Sequence, residues 1–385
     1  MSKVLLVAPV PTHPSATGAS ARVRYMADAL DSLGHDVHFM HLQQPLFTDD
    51  AELRRYWGKR LHVFRSLSLP SLVGRARRKL VRITGKTLHL NLPVDSYFDR
   101  EAARYLERVV AAGSFDSVIV SYVFYSRLLE SLGSATRKVL DTHDVFSDRY
   151  RLYREHRQAN EFFSTDLQGE RTALNRADIV LAIQQWDASH FLSLTSRPVT
   201  VVGHLAPVAK EEPSEDSDSK AILFVGGPMG INVHGVTWFI EQVLPRVQRR
   251  VEQAEVWLVG GISQRFRLLP PGVRRLGFVD PLGDLYRRAA VVINPQQFGT
   301  GLSIKSVDAL RYGRPLVTTA SGARGLEDGA GVAFRQAETA AEFGEAVVEL
   351  LGDSTRRAAL AGCAAEFARR YRERSLRALE NAVIP

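Results

Sequence analysis

Lys305 and Asp308 stand three residues apart, just behind the turn Phe298-Gly299-Thr300-Gly301. On a helix, that spacing lets an ammonium and a carboxylate share one face. Where a glycine-rich turn runs into a helix start, the backbone N–H groups of Gly299, Thr300, Gly301 and Leu302 can cradle a phosphate, and the lysine adds charge. The carboxylate can accept from sugar hydroxyls. Two more glycine-bearing segments have the same character. Gly18 lies just before a helix in Pro9–Arg22, where an anion can approach it with no Cβ in the way, and Arg22 can add charge or merely cap the helix. Gly226 and Gly227, in Phe224–Gly230, also permit close backbone approach. Finally, Leu140-Asp141-Thr142-His143-Asp144 ends an apolar run with a His143–Asp144 pair that can orient a hydroxyl or assist proton transfer. A capping aspartate beside a buried histidine is the alternative.

The elements that must position these residues are legible as alternating strands and helices. Ala289–Ile293 is short, apolar and β-branched, as a buried parallel strand should be. A helix is expected from about Ile304 to Tyr312, with Gly313 as its C-cap and Arg314-Pro315 breaking the chain before the strand Leu316–Thr319. Taken alone, such a turn serves equally well as plain architecture. A first strand series comprises Lys3–Pro9, His35–His41, Ser117–Val120, Lys138–Leu140, Ile179–Ile183 and Val199–Val202, with a helix over Arg22–Leu33. Pro207–Lys220 is acidic and proline-bearing, which marks a linker. A second series follows: Ala221–Val225, Glu255–Val259, Arg275–Phe278, Val291–Asn294 and Leu316–Thr318. The pattern predicts an α/β chain of two doubly wound parallel sheets with a ligand cleft between them.

The full string from Asn294 to Thr319 resembles the donor-binding segment of retaining GT-B glycosyltransferases of the large glycogen-synthase-like family (family 4-like, group 1), which use nucleotide sugars. Ala309–Val317 matches the end of their motif. Asp308 takes the place of the family's second Glu, which binds the nucleotide ribose, and Thr300 replaces the first. A branch with a Gly-Thr-Gly turn and a helical lysine is most similar. The resemblance implies that Lys305 substitutes for the Arg and Lys missing from the Phe224–Gly230 loop, and that Gly18 faces the donor diphosphate. It also implies that Phe278 and Val279 read the base, with Gly260 bordering it, and that His143 and Asp144 lie near the acceptor and donor sugar. The implied GT-B fold has two Rossmann-like domains facing a central cleft. Residues 1–206 would take the acceptor, 207–220 link, 221–365 bind the nucleotide sugar, and helix 366–385 cross back. The implied activity moves a sugar from a nucleotide diphosphate sugar to an acceptor hydroxyl, with retention, in cell-surface polysaccharide or glycolipid synthesis. His143, Asp144 and Lys305 would be catalytic, and neither metal nor cofactor beyond the donor is called for. A GT-B nucleotide-sugar epimerase and a non-catalytic sugar-nucleotide-binding partner are the alternatives.

Composition narrows the setting. The chain has 385 residues, 45% of them apolar, with no run of about 18 apolar residues that could span a membrane. Met1–Pro9 reads as a first strand rather than a signal peptide. One cysteine, Cys363, allows no intrachain disulfide and fits a reducing cytoplasm. Net charge is +8, yet Leu53–Lys86 holds eleven Lys/Arg and no acid, leaving 39 basic against 42 acidic residues elsewhere. With Tyr56, Trp57 and several aliphatics interleaved, the window reads as a peripheral surface for anionic lipid at the inner membrane face or for an acidic acceptor, or as a solvated helix packed on its own domain. No motif supports nucleic-acid binding. Gly226–Gly230 lacks the full dinucleotide spacing, Asp216-Ser217-Asp218 lies in the linker, and no His/Cys cluster has metal-ligand spacing.

Overall fold

The computed structural model describes residues 1–14, 17–43, 50–65, 91–157, 162–209 and 219–384. It forms two compact units, Met1–Leu205 with Arg374–Pro385, and Ala206–Glu373. Among the described residues, the first unit has seven strands: β1 Lys3–Ala8, β2 Asp36–Gln43, β3 Leu61–Arg65, β4 Ser117–Ser121, β5 Arg137–Asp141, β6 Ile179–Ala182 and β7 Val199–Val201. All pairings are parallel, in the order β3-β2-β1-β4-β5-β6-β7. Alternation along β1 builds two cores: Leu5 and Val7 face one layer, Val4, Leu6 and Ala8 the other. The second layer receives Val23, Met26, Ala27 and Leu30 from the helix Gly18–Ser32, an apolar stripe at helical spacing. That helix starts four residues earlier than expected because the Thr17 side chain caps it, accepting from Ser20 N at 3.1 Å. Gly18 is therefore its first residue.

The second unit has the same winding. Strands β8 Ala221–Val225, β9 Glu255–Val259, β10 Val273–Gly277, β11 Val291–Asn294, β12 Leu316–Thr318 and β13 Arg335–Gln336 are ordered β10-β9-β8-β11-β12-β13, again all parallel. Each sheet reverses its strand order once, between β1 and β4 and between β8 and β11. Loops diverge from the carboxyl ends of those neighbours, so each reversal opens a crevice. The glycine-bearing segments Pro9–Arg22, Phe224–Gly230 and Phe298–Gly301 all leave from these four strand ends. The Ser354–Val383 helix gives its last residues, Leu379, Ala382 and Val383, to the first core.

In the described part of the basic window the packed alternative holds. Among its described residues, Leu53 and Trp57 are buried in the first core rather than presented outward, and Leu61–Arg65 forms edge strand β3. Trp57 also donates from Nε1 to Thr12 Oγ1 at 2.7 Å, pinning the loop after β1. Tyr56 is exposed, stacked on His13. The rest of the window, like most of the linker and Asp216–Asp218, lies outside the described residues. Among the described residues, no helix is long and apolar enough to cross a membrane.

Candidate active site

In the second unit the chain leaves β11 at Asn294, passes Pro295 and Gln296, and bends at Gly299 and Gly301, both with positive φ (147° and 72°), before the helix Ile304–Arg311 begins. It is the positive φ that calls for glycine at Gly299; a Cβ there would also come within 2.7 Å of the side-chain ends of Gln296 and Ile231. The helix start is locked from below. Asn294 Nδ2 donates to Ser303 Oγ and Ser306 Oγ, each at 2.8 Å, and Ser306 Oγ donates to Gly322 O at 2.7 Å. All three side chains are buried, so the network fixes the first helical turn against the segment after β12. Arg324 Nη1 donates to Gly299 O at 2.6 Å, steadying the bend itself.

Lys305 is half-buried on this first turn. Its ammonium donates only to neutral oxygens, Gln296 Oε1 at 3.2 Å and Ser303 Oγ at 3.4 Å. Among the described residues no carboxylate offsets it, and desolvation alone brings its pKa down to about 8. A half-buried cation beside a bend of backbone amides has the chemistry an anion would meet. Asp308, three residues on, ion-pairs with Arg311 at 2.6 Å. Burial pushes the Asp308 carboxyl up, and Arg311 opposes that only in part.

The other second-unit candidates surround the same strand ends. Gly226 follows β8, with its N–H bonded to Val259 O and its carbonyl accepting from Ile262 N. Gly227 O accepts from Asn232 Nδ2 at 3.0 Å. Gly260 follows β9 and donates to Gly277 O at 2.6 Å. Phe278 and Val279 leave β10, and Phe278 is 77% exposed, a large aromatic face open to stacking. Thr300 is half-buried within the bend and Leu302 is buried at its end.

In the first unit, His143 follows β5 with φ 64°, a left-handed backbone that a histidine seldom adopts. Tyr122, at the end of β4, also has positive φ (76°), and the two rings stack with centroids 4.0 Å apart. Two residues with positive φ therefore meet at adjacent strand ends. His143 Nε2 lies 3.0 Å from Asp141 Oδ2. Arg22 does not reach toward the end of its loop. It is buried, with Nη2 2.6 Å from Asp141 Oδ1 and Nη1 donating to the carbonyls of Val202 and Gly203 at 3.0 Å each. Asp144 is likewise engaged, paired with the buried guanidinium of Arg149. Gly18 is exposed at its helix start.

Residues 17–203 match the family described as a glycosyl transferase 4-like domain, and residues 219–353 match glycosyl transferases group 1. Between them these cover most of the chain. The chain is a group 1 glycosyltransferase. No curated protein matches it. Solved structures share the GT-B fold of two parallel-sheet α/β domains. Sucrose-phosphate synthase from Thermosynechococcus elongatus is 15% identical, over 98% of this chain and 97% of that one, with TM-score 0.68. HepE of Anabaena, in complex with UDP and glucose, is 15% identical over 96% and 95%, with TM-score 0.64. A mutant TarM of S. aureus, in complex with Fondaparinux, alpha-GlcNAc-glycerol and UDP, is 8% identical over the whole of both chains, with TM-score 0.69.

Five residues of this glycosyltransferase escaped the sequence reading: Asp141, Tyr122, Asn294, Gln296 and Arg324. Asp141 and Asn294 each end a buried strand with a polar side chain, a signal available in the sequence. Tyr122 and Arg324 join the site only through backbone conformation and tertiary contact.

Proposed function

We propose that this glycosyltransferase binds a nucleotide diphosphate sugar in its second unit and transfers the sugar to an acceptor hydroxyl with retention. In this reading Lys305 and the amides of Gly299–Leu302 take the diphosphate, and Asp308 takes the ribose. Phe278 and Val279 line the base. The observation that carries it is the half-buried ammonium of Lys305, which meets only neutral oxygens at the head of the glycine bend. As the glycosidic bond breaks, negative charge grows on the leaving diphosphate. A preorganised cation and amides would stabilise that charge by about 3–4 kcal/mol for each well-placed donor. In the first unit, His143 orients a sugar hydroxyl. That HepE and TarM were captured with UDP supports a nucleotide diphosphate donor.

The acceptor in this reading is a glycan or lipid-linked intermediate of cell-surface polysaccharide or glycolipid synthesis, met in the cytoplasm at the inner membrane face. One solved structure of similar fold, WaaB, is a lipopolysaccharide outer core galactosyltransferase, 12% identical over 99% of both chains with TM-score 0.59, which supports the cell-surface setting. The excess charge of Leu53–Lys86 supports the membrane. No metal or further cofactor has a role in the scheme, so turnover should survive a chelator.

A thermal-shift screen across UDP-, GDP-, ADP- and dTDP-sugars, run on the native chain and on Lys305→Ala, tests the reading. One donor should stabilise the native chain and do so much less in the variant. Equal stabilisation of both, or none by any donor, refutes it. Release of nucleoside diphosphate that depends on added acceptor then separates transfer from epimerisation or from binding without turnover.

A further inference from the structure

The geometry points to Arg311 as the positioning residue for Asp308, engaging Oδ1 so that Oδ2 is left to accept from a ribose hydroxyl. This rests on the reading of Asp308 as the ribose acceptor. Both residues belong to the helix Ile304–Arg311, one turn apart, where side chains three residues apart meet. Arg311 Nε donates to Asp308 Oδ1 at 2.6 Å. Among the described residues no donor meets Oδ2, and 18% of the Asp308 side chain stays exposed. An ionised carboxylate only accepts hydrogen bonds, which is what a ribose hydroxyl needs. Burial works against that state by pushing the Asp308 carboxyl up, and Arg311 supplies the charge that opposes it.

Arg311 is itself held in place. Its Nη1 donates to Pro207 O at 3.3 Å, and its own carbonyl accepts from Ala209 N at 2.9 Å. The first residues of the second unit thus tie down the last turn of the helix, where backbone carbonyls lack intrahelical donors. The guanidinium also lies 4.1 Å from the centre of the Tyr312 ring, a cation–π distance. Tyr312 stacks in turn on the fully buried Tyr286, with ring centres 4.3 Å apart. These two phenols are the other titratable groups packed here. Burial and then Asp308 push the Tyr286 phenol well up, so it stays neutral and leaves the charge balance of Asp308 to Arg311. A planar guanidinium fixed in this way decides which carboxylate oxygen is engaged and where the other points.

The test is the ratio of affinities for UDP, GDP and ADP over their 2′,3′-dideoxy counterparts, measured by calorimetry against pH. The phosphates titrate alike in both members of a pair, so the ratio isolates ribose recognition. At neutral pH the native chain should prefer the ribose form of its own nucleotide by about tenfold to a hundredfold, the scale of a hydrogen bond to a charged group. An ionised carboxylate binds hydroxyls better, so the complex holds the Asp308 proton less tightly than the free protein does. The preference is therefore full above the Asp308 pKa and falls as pH drops through it, by up to about tenfold per unit. In Arg311→Gln that fall should begin at higher pH. In Arg311→Lys the charge stays but the fork is lost, so the fall should begin near the native pH while the preference itself shrinks severalfold. A fall at the same pH in the native chain and in Arg311→Gln, or an undiminished preference in Arg311→Lys, overturns the inference. Equal weakening of ribose and dideoxy forms does so too, since it marks a residue that merely braces the helix. Should Arg311→Gln fail to fold, the lysine variant decides alone. A native chain that distinguishes no pair refutes the ribose reading of Asp308 instead, while carbon-13 titration of the Asp308 carboxyl, assigned with Asp308→Asn, still reports on Arg311 without any ligand.

Discussion

Lys305 ties the proposed chemistry to pH. Burial lowers its pKa to about 8, and a bound diphosphate must raise it again, because the anion favours the charged form. The complex therefore holds this proton more tightly than the free protein does. Donor affinity is full below about pH 8 and falls as pH rises through and beyond that value, by at most about tenfold per unit. A nucleotide sugar is the right probe, since its diphosphate diester does not titrate in that range. Calorimetry from about pH 7 to about pH 9.5 should show the decline in the native chain and a flat profile in Lys305→Gln. A flat native profile contradicts the assignment. Lys305→Ala should also lower turnover by about a hundredfold to a thousandfold. It should not lower the thermal midpoint, because the ammonium's burial is a cost to the fold rather than a support. A fall in midpoint to match the lost activity would make Lys305 structural. Arg324 acts one step away, on the Gly299 carbonyl, so Arg324→Ala should weaken donor binding by about tenfold, one hydrogen bond's worth, and loosen the bend.

The bend also depends on a neighbouring helix. Gly235, in the helix Gly230–Trp238, lies so close to the segment leaving β11 that a Cβ would sit 2.6 Å from Pro295 O. In a helix interior, Gly→Ala normally gains up to about 1 kcal/mol. Here the partner is backbone, which cannot swing aside, so the sign should reverse and Gly235→Ala should cost about 1–3 kcal/mol in urea denaturation. A more stable variant would show that the helix can withdraw without disturbing the site. What the sequence revealed and concealed follows the same divide between local and tertiary causes. Strands such as β1, β8 and β11 were legible because both faces of a parallel sheet are buried, and continuous apolar runs leave no other reading. The bend and the lysine behind it were legible because glycine and a helix start are local signals. Strand β3 was not, since an edge strand of half-buried residues in a basic stretch carries no apolar run. The partner of Arg22 was hidden for another reason, whereas Arg311 stands only three residues from Asp308. Spacing shows which charges lie near one another along the chain, but Arg22 meets Asp141 only because the Gly18–Ser32 helix packs across the sheet.

At the scale of the molecule, charge separates the chain from its basic window. Outside Leu53–Lys86 acids outnumber bases by three, so the excess positive charge that would favour an anionic surface lies in the window. Its described part is poorly suited to that task. Leu53 and Trp57 belong to the first core, and Arg60 and Arg65 already pair with Asp31 and Asp50. The stretch from Arg75 to Lys86, which lies outside the described residues, carries the remaining six bases without one acid. Each basic residue near an anionic leaflet contributes about 1 kcal/mol, screened beyond about 8 Å at physiological salt. Sedimentation with vesicles containing anionic lipid should therefore capture the full chain at low salt and release it as salt rises. Reversing Arg75, Arg77, Arg78 and Lys79 to Glu removes four attractions and adds four repulsions, which should abolish capture outright while nucleotide-sugar binding persists, because Lys305 and its bend belong to the other unit. Capture unaffected by these reversals would exclude the window as a membrane contact. Loss of both activities together would show instead that the reversals had unfolded the chain, which circular dichroism on the same sample detects.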